Sequence, residues 1–518
     1  MATAALRLGE FIATLALAQD NAFGQPLESQ LRSCLIASWL CEEAGVAADV
    51  GHTAYWVALL RYVGCTGHAH EVATIFGDEI ALRARTLVHD AANPAEVMRD
   101  VVEYATRGLT PEEAAQVVRM IQQTAREWAI HNFASGCEVA DMLVRRLDVG
   151  AAVRRALAFT FERWNGTGYP AHAAGDAIPL PMRVVHLAHD MEAIGRLFSC
   201  ERALDVARDR RDRTYDPVLV DLFLEHGAAW FARLSTLEPW DAVLALEPTP
   251  HRRLTGQALD AALEVAADFI DVKSPYTLGH SRRCGALAEA AAKVRGFSAD
   301  DVAATRRAAL VHDFGATAVP NSIWDKPGPL TRAEFDRVEL HPMLTEQMLR
   351  RSPALSGLNP IACAHHEKCD GSGYHKRVRA GAGDARACLL AAVEVYVGLT
   401  ADRADRPAFS PAAAAKELRR LAAAGVLDQR STDAVLEAAG HRGEATGIKG
   451  RPHPGGLSAR EVEVLRLAAR GLTTKEVAER LGISAKTADH HIQHIYDKIG
   501  VSTRAAAALW AAQYAVVA

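Results

Sequence analysis

The sequence predicts an all-α protein, and three observations support this fold class. Alanine and leucine dominate the 518 residues, and runs of β-branched residues are short. Segments 30–44, 259–272 and 281–294 place apolar residues at helical spacing. At about 150 residues per domain, the length predicts roughly three domains. We therefore expect several packed helical cores.

Composition excludes several classes of protein. A content of 49% hydrophobic and 23% charged residues argues against wholesale disorder. The formal charge of −5 means that any contact with nucleic acid must be local. The 9 cysteines include no Cys-x-x-Cys pair, which favours a reducing, cytoplasmic setting over a disulfide framework. We expect neither a signal peptide nor a membrane partner, because no apolar run is long enough to span a bilayer.

The chain contains an internal repeat. Arg32 and Gly64 recur 251 positions later as Arg283 and Gly315. A Gly-x-Gly-Tyr motif that ends at Tyr169 recurs 205 positions later, so the first copy has extra residues between these features.

This repeat and the polar breaks predict the domain organisation. We expect a first copy over residues 1–245 and a second copy over 255–440. Residues 441–455 combine Gly, Pro and charge without apolar periodicity, which is typical of a linker. A small C-terminal domain over 456–518 completes the chain.

The second copy gathers residue types that bind transition metals. The pair His312-Asp313 ends an apolar run, where the carboxylate can bridge two cations, and His365-His366 begins a glycine-rich stretch. Two more histidines lie on separate predicted helices: His280 and His341. Each pair alone is typical of a surface or capping position, whereas the combination favours a metal centre. Imidazoles with one or two carboxylates suit Fe, Mn, Zn or Ni, and two such ions can clamp a phosphate for in-line attack.

This copy resembles an HD-GYP domain, the phosphodiesterase branch of the HD phosphohydrolase superfamily. The resemblance rests on segments 277–283, 312–315, 319–331 and 365–374. It implies an all-α fold, two divalent transition metals (Fe or Mn foremost), and hydrolysis of cyclic di-GMP or a related phosphodiester. The implied metal ligands are His280, His312, Asp313, His341, His365, His366 and Glu394. Asp313 would also be catalytic in an active enzyme, and Glu394 stands where the family usually has Asp.

The residues that contact substrate in the family are less complete here. Ala316 stands in place of a Lys that supplies positive charge to the scissile phosphate. Cys388 replaces an Arg that contacts phosphate, and His375 replaces the Pro of the Gly-Tyr-Pro signature. Tyr276 stands where some members carry a Glu that supports a third metal, so we expect at most two. The sequence therefore retains more of the family's metal ligands than of its substrate-contacting residues.

The first copy resembles the same family without its metal ligands. Arg61-Tyr62 stand in place of His-Asp, and His189 replaces the last carboxylate. The other replacements are Ser29, Cys65, Ser135 or Gly136, Thr160 and Phe161. The loop 162–170 and Arg183 are kept, so we expect the scaffold without catalysis. The Cys and His residues of 64–71 leave two interpretations open, a helix cap with buried histidines or a site for a different ligand; the retained fold would also suit a dimerisation or sensor half.

The C-terminal domain predicts four short helices that include a helix-turn-helix. Ser458 and Glu461 form a capping box, and Ser484 caps a helix that Gly500 ends. The polar face of that helix could be merely solvated, but a tight turn precedes it and lysines flank it.

This segment resembles a LuxR-type DNA-binding domain, through residues 457–465, 475–478, 481–488 and 496–509. The resemblance places the helix of about 485–499 in the major groove and implies binding to double-stranded promoter DNA as a homodimer. The implied DNA contacts are Lys486, Thr487, His490 and His491, with Thr474, Lys475 and Lys498 on the backbone.

Three functions remain open on the sequence. The leading hypothesis is a cytoplasmic transcription regulator whose tandem HD-GYP-like domains sense a metal or a small molecule such as a cyclic dinucleotide. The alternative is an active cyclic di-GMP phosphodiesterase tethered to a DNA-binding domain. In a third interpretation the metal is structural or redox-sensing and neither copy hydrolyses anything.

Overall fold

The computed structural model describes residues 5–90, 92–377, 384–441 and 453–517, apart from the side chains of Pro94 and Arg126. This part of the chain is almost entirely helical, which confirms the predicted fold class. It forms two compact units, Arg7–Leu254 and Thr255–Ala518, the latter with Met1–Leu6. Most of the predicted linker, residues 442–452, lies outside the described residues.

The first unit is a helical domain built around two buried helices. Its helices are α1 (Leu8–Ala22), α2 (Ser29–Glu43), α3 (Ala48–Leu60), α4 (Ala69–Phe76), α5 (Glu79–Thr86), α6 (Pro94–Ala105), α7 (Pro111–Leu147), α8 (Ala151–Leu157), α9 (Leu180–Leu197), α10 (Cys200–Asp209), α11 (Pro217–Leu234) and α12 (Pro239–Ala245). Short 3₁₀ helices occur at Cys65–His68 and Gly175–Ala177. Helices α1 and α9 are buried along most of their length, and α2 packs against α3 and α9.

Two short strands flank this unit, β1 (Leu6–Arg7) and β2 (Arg253–Leu254). The backbone N–H of Leu8 donates to the carbonyl oxygen of Arg252 at 2.8 Å. The beginning and the end of the unit therefore lie side by side.

The second unit is also helical and contains the predicted C-terminal domain. Its helices are α13 (Gly256–Asp271), α14 (His280–Val294), α15 (Ala299–Val311), α16 (Asn321–Trp324), α17 (Arg332–Glu339), α18 (His341–Leu349), α19 (Pro353–Ser356), α20 (Asn359–Ala362), α21 (Ala385–Leu399), α22 (Pro411–Ala423), α23 (Gln429–Ala438), α24 (Ala459–Ala469), α25 (Thr474–Leu481), α26 (Ala485–Ile499) and α27 (Arg504–Gln513). Short 3₁₀ helices occur at Phe314–Ala318 and Pro454–Gly456. Helices α13, α14, α15 and α21 pack together and supply most of the core around the candidate site.

The helix bounds of the two copies repeat at the spacing seen in the sequence. Helices α2 and α14 have 15 residues each and start 251 positions apart, and α3 and α15 have 13 residues each at the same offset. Helices α9 and α21 start 205 positions apart. Where the second copy has the short helices α16–α18, the first has the longer run α4–α7. The extra residues of the first copy thus lengthen this run of helices.

Within the second unit, the last helix lies against the domain that carries the histidine cluster. The side chain of Gln513 on α27 donates to Asp268 on α13 at 3.2 Å. Asp268 in turn pairs with Arg282 on α14, at 2.6 Å from Nε. Arg470 and Asp402 form a second contact at 3.0 Å. The C-terminal domain is therefore connected to α14 by hydrogen-bonded side chains.

Glu461 holds the C-terminal domain together, and its removal should be measurable. Its carboxylate accepts from the backbone N–H of Ser458 at 2.7 Å and from Nζ of Lys498 at 2.8 Å, and it lies 2.9 Å from the ring of His494. Burial opposes the charged form, but Lys498 and Ser458 outweigh it and lower the pKa of Glu461 to about 2. The predicted capping box is thus confirmed and is also tied to α26.

We expect Glu461→Gln to lower the free energy of unfolding of this domain by about 1–2 kcal/mol at pH 7. The unfolded pKa of Glu is about 4.3 and the folded value is lower, so the stabilisation is fully present above about pH 4.3 and is lost as pH falls through about 2. Scanning calorimetry between pH 7 and pH 3 should therefore show the two proteins converging in acid. The exposed Glu479→Gln serves as the control, and a constant difference across this range would contradict the role of the charge.

Candidate metal centre and DNA-binding surface

The predicted metal ligands come from five places in the second unit and meet in one buried cluster. They are His280 at the start of α14, His312 and Asp313 directly after α15, His341 at the start of α18, His365 and His366 after α20, and Glu394 on α21. Gly315 makes the meeting sterically possible, because a Cβ there would collide with the carbonyl oxygen of His341. The same contact in the first unit joins Gly64 to Gly136, which places Gly136 rather than Ser135 at the position of His341.

Asp313 lies between two groups of imidazoles. Its Oδ1 is 3.2 Å from Nε2 of His341 and 3.4 Å from Nε2 of His365. Its Oδ2 is 3.2 Å from Nε2 of His312 and 3.8 Å from Nε2 of His280. Each carboxylate oxygen therefore faces a different pair of histidines, which is the arrangement of a carboxylate that bridges two ions.

Glu394 belongs to one of these groups. Its Oε2 lies 2.9 Å from Nε2 of His280 and 3.3 Å from Nε2 of His312. On the other side, His366 joins His341 and His365, and its ring stacks on Tyr374 at 4.2 Å. The extra methylene of Glu394, relative to the Asp expected from the resemblance, still lets the carboxylate reach the cluster.

The orientation of the rings is fixed from behind by backbone carbonyls. Nδ1 of His312, His341 and His365 lies 2.7, 2.7 and 2.6 Å from the carbonyl oxygens of residues 309, 338 and 362. A carbonyl can only accept, so each Nδ1 carries the proton and each Nε2 presents a lone pair to the cluster.

These lone pairs need a cation. Nε2 of His341 and Nε2 of His365 are 3.0 Å apart, and Nε2 of His312 is buried without a hydrogen-bond partner. Facing lone pairs beside two carboxylates repel one another unless a positive charge sits among them. Burial opposes charge on His312, yet Asp313 and Glu394 hold its pKa well above the usual range, so its Nε2 attracts a positive charge, either a proton or a metal ion that displaces the proton. The residues present therefore fit divalent metals.

Sequence reasoning missed one member of the cluster, Cys284. Its Sγ is 3.6 Å from Nε2 of His280 and 3.5 Å from Oε2 of Glu394. It lies four residues after His280 on α14, so both side chains share one helix face. That spacing was the available signal, but a cysteine in an alanine-rich helix normally reads as a small core residue.

The positions that depart from the family pattern carry no substitute charge of their own. Ala316 lies buried in the 3₁₀ helix after Asp313. Cys388 lies beside Cys369, and burial raises its pKa to about 11. Both ring nitrogens of His375 are buried without a hydrogen-bond partner. Tyr276 is a half-buried phenol whose pKa burial raises.

Two other cations lie near the cluster. Arg283 and Lys368 interact electrostatically with Glu394, and burial lowers the pKa of both. Nε of Arg283 is buried without a hydrogen-bond partner. Positive charge is therefore still present around the carboxylates, although not at position 316.

The first unit places a guanidinium where the second has its predicted metal ligands. Arg61 is buried and lies 3.7 Å from Asp190, and Tyr62 is buried beside it. Burial lowers the pKa of His189 to about 4. Among the described residues of this unit, no group of three His, Cys, Asp or Glu residues comes close enough to hold an ion. Arg183 pairs with Asp176 and Asp216.

The predicted DNA contacts lie on and around α26. Ser484 caps this helix, and Gly482 and Gly500 adopt the left-handed conformation at the ends of α25 and α26. Ala488, Ile492 and Ile495 are buried, as the apolar stripe predicts. On α26 itself, Lys486, Thr487 and His490 are exposed and His491 is half-buried, whereas on α25 Lys475 is exposed and Thr474 is half-buried. Lys498 differs from the other lysines because Glu461 holds its ammonium group.

The comparisons with known proteins define the class of this chain. Residues 264–430 match the HD domain, and residues 456–511 match the bacterial regulatory proteins of the luxR family. The chain therefore carries an HD domain followed by a LuxR-type helix-turn-helix domain, and it is homologous to HD-GYP phosphodiesterases.

Particular relatives extend this similarity. A 3'3'-cGAMP-specific phosphodiesterase 3 of Vibrio cholerae is 28% identical over 405 residues, which cover 78% of this chain and 88% of the relative. A crystal structure of a cyclic GMP-AMP specific phosphodiesterase of V. cholerae has a TM-score of 0.58 and 25% identity, and covers 84% of this chain and 98% of that one. A cyclic di-GMP phosphodiesterase of Pseudomonas aeruginosa is 35% identical over 148 residues, 28% of this chain and 35% of the relative. A match of 405 residues is longer than the second unit, so similarity extends into the first.

No helix in the described part of the chain is both long and apolar enough to cross a membrane.

Proposed function

We propose that this protein is a DNA-binding transcription regulator whose tandem HD-GYP-like domains respond to a metal or to a small molecule such as a cyclic dinucleotide. The observation that carries the proposal is the series of side-chain contacts that leads from the LuxR-type domain to α14, the helix that begins with His280. Gln513 binds Asp268, which pairs with Arg282, two residues after His280. A change at the cluster can therefore reach the DNA-binding domain through packed side chains.

The domain bounds belong to this proposal. Residues 1–245 form the copy without metal ligands, 255–440 the copy with them, 441–455 the linker, and 456–518 the DNA-binding domain. We propose that the protein acts in the cytoplasm as a homodimer, each subunit contacting one half-site of a promoter.

The test is binding of the full chain to genomic promoter fragments, followed by fluorescence anisotropy. We expect saturable binding to particular fragments, weaker at higher salt because phosphate contacts release counterions. Binding that does not distinguish any fragment from random DNA would contradict the proposal.

The ligand cluster also supports an alternative function, an active metal-dependent cyclic dinucleotide phosphodiesterase. Asp313 would bridge two ions, held further by His280, His312 and Glu394 on one side and by His341, His365 and His366 on the other. Divalent metals supply a nucleophile and Lewis-acid stabilisation for phosphodiester hydrolysis. The chain itself orients the imidazoles through backbone carbonyls and keeps Arg283 and Lys368 near the carboxylates, where they can attract a phosphate.

Turnover assays separate these functions. Purified protein, supplied with Mn(II) or with Fe(II) under anaerobic conditions, would be given cyclic di-GMP and 3'3'-cGAMP. Hydrolysis that disappears in Asp313→Ala would establish the phosphodiesterase and show that Ala316 and Cys388 are tolerated. Absence of hydrolysis would leave the cluster with a structural or redox-sensing metal, in which case oxidation of bound iron should change DNA affinity.

We expect Cys284 to act as an additional metal ligand whether the protein is a regulator, a phosphodiesterase or a carrier of a structural or redox-sensing metal. A coordinating thiol is deprotonated by the metal, even where burial alone raises its pKa, as it does here. Protein loaded with Co(II) should therefore show a near-ultraviolet thiolate-to-cobalt charge-transfer band that Cys284→Ser abolishes. Cys34→Ser, which removes a buried thiol from the first unit, is the matched control and should leave the band intact.

A further inference from the structure

The first unit contains a partly open cavity that the proposed function leaves unused. Its volume is about 680 Å³, within the range of roughly 300–1,000 Å³ that is typical of small-molecule sites. Arg61 and Tyr62, at the positions of His312 and Asp313 in the second copy, line its floor. Residues of α4–α7, the longer run of helices that stands where the second copy has α16–α18, form the surrounding wall. The first unit therefore has a cavity at the positions where the second copy has its predicted metal ligands.

The cavity is cationic. Arg61 and Arg163 line it with 4% and 8% of their surface exposed, and Nε of each has no hydrogen-bond partner. Asp190 is the single carboxylate among the described residues that line the cavity, and it also accepts a hydrogen bond from Tyr215. A third guanidinium, Arg83, donates to two backbone carbonyls and has Glu79 nearby. One carboxylate among the described lining residues thus faces two buried guanidiniums, so the lining carries a net positive charge that favours an anion.

The same cavity offers flat apolar surfaces beside these charges. Phe23 stacks on Tyr62 with 4.0 Å between ring centroids, and Phe133 stacks on Phe161 at 4.2 Å. Planar aromatic side chains of this kind hold planar ligands by offset stacking. His68 adds a buried polar edge, because its Nδ1 has no partner and burial lowers its pKa to about 3, which keeps the ring neutral.

We propose that this cavity binds a nucleotide, with its phosphate on Arg61 and Arg163 and its base among the aromatic rings. A guanidinium matches the geometry of a phosphate through paired N–H donors, whereas a lysine would act only as a point charge. Neutral His68 can exchange hydrogen bonds with the edge of a base. Binding itself is independent of the DNA-binding domain, and a role as effector rests on the proposed function.

The test is isothermal titration of the full chain carrying Asp313→Ala, so that the metal centre does not take up the phosphates. The probes are GMP, AMP, cyclic di-GMP and 3'3'-cGAMP, with guanosine and inorganic phosphate for comparison. We expect at least one nucleotide to bind with a Kd well below about 1 mM, and guanosine and phosphate to bind at least about tenfold more weakly. If none of the four nucleotides binds below about 1 mM, the proposal is overturned.

Variants locate the binding. Arg61→Met and Arg163→Met should each weaken nucleotide binding by about tenfold or more, and the exposed Arg208→Met should leave it unchanged. Phe133→Leu keeps all the guanidiniums and should weaken binding several-fold, so it tests the site even if an arginine variant does not fold. Unchanged affinity in both Arg163→Met and Phe133→Leu would place the nucleotide elsewhere. Failure to find a specific promoter fragment would leave these titrations unaffected, so the two proposals fail separately.

Discussion

Replacement of Asp313 by alanine should remove both metal ions and any phosphodiester turnover together. One oxygen of this carboxylate faces His312 and His280, and the other faces His341 and His365. Asp313 is therefore the side chain that connects the two groups of histidines. Without Asp313, the cluster would lose a negative charge that helps to offset two divalent cations in a buried site. Metal content after reconstitution with Mn(II), measured by mass spectrometry, should fall from about two ions per chain to near zero.

Glu394→Gln provides a sharper version of the same experiment. Its carboxylate contacts only the group that contains His280 and His312, so we expect loss of one ion and retention of the other. The exposed Asp336→Asn is the control for unrelated loss of negative charge and should bind both ions. Retention of two ions in Asp313→Ala, or loss of both in Glu394→Gln, would show that the division into two groups is wrong.

The cluster of histidines and carboxylates could be predicted because its residues lie in adjacent pairs in the sequence. His312 and Asp313 are adjacent, as are His365 and His366, and a helix end fixes where each pair points. Cys284 was not anticipated, because its membership depends on which face of α14 turns toward Glu394, a residue more than 100 positions away. Tertiary packing determines which face of α14 is turned toward Glu394, and the local sequence does not contain that information.

The cavity of the first unit shows the same limit more strongly. The sequence indicated that Arg61 replaces a metal ligand and that the first copy has extra residues after it. It did not indicate that Arg61 and these extra residues line the same cavity. Arg61 and Arg163 are about a hundred residues apart, and the wall comes from α4–α7, whose own pattern predicts only amphipathic helices. Local features fared better: the caps at Ser458 and Ser484 and the end at Gly500 follow from residue type alone and are present in the structure.

Lys486→Ala should produce the largest loss of DNA affinity among the lysine variants. Lys486 is exposed in the first turn of α26, the helix that follows the loop of the helix-turn-helix. Its side chain can therefore extend toward DNA in the major groove. We expect affinity for a specific fragment to fall about tenfold, and the slope of log affinity against log salt to fall by about one if the contact is to phosphate. Anisotropy titrations at several salt concentrations give both quantities.

Lys498→Ala should have a smaller effect, although both lysines were expected to contact DNA. Nζ of Lys498 lies 2.8 Å from Glu461 and also donates to the carbonyl oxygen of Gly456, so its charge is already neutralised within the domain. Transfer of that ammonium group to a phosphate would cost the ion pair that supports the capping box, whereas Lys486 gives up no such partner. Equal salt slopes for the two variants would show that Lys498 leaves Glu461 when DNA binds. An unchanged slope in Lys486→Ala would remove this lysine from the phosphate contacts.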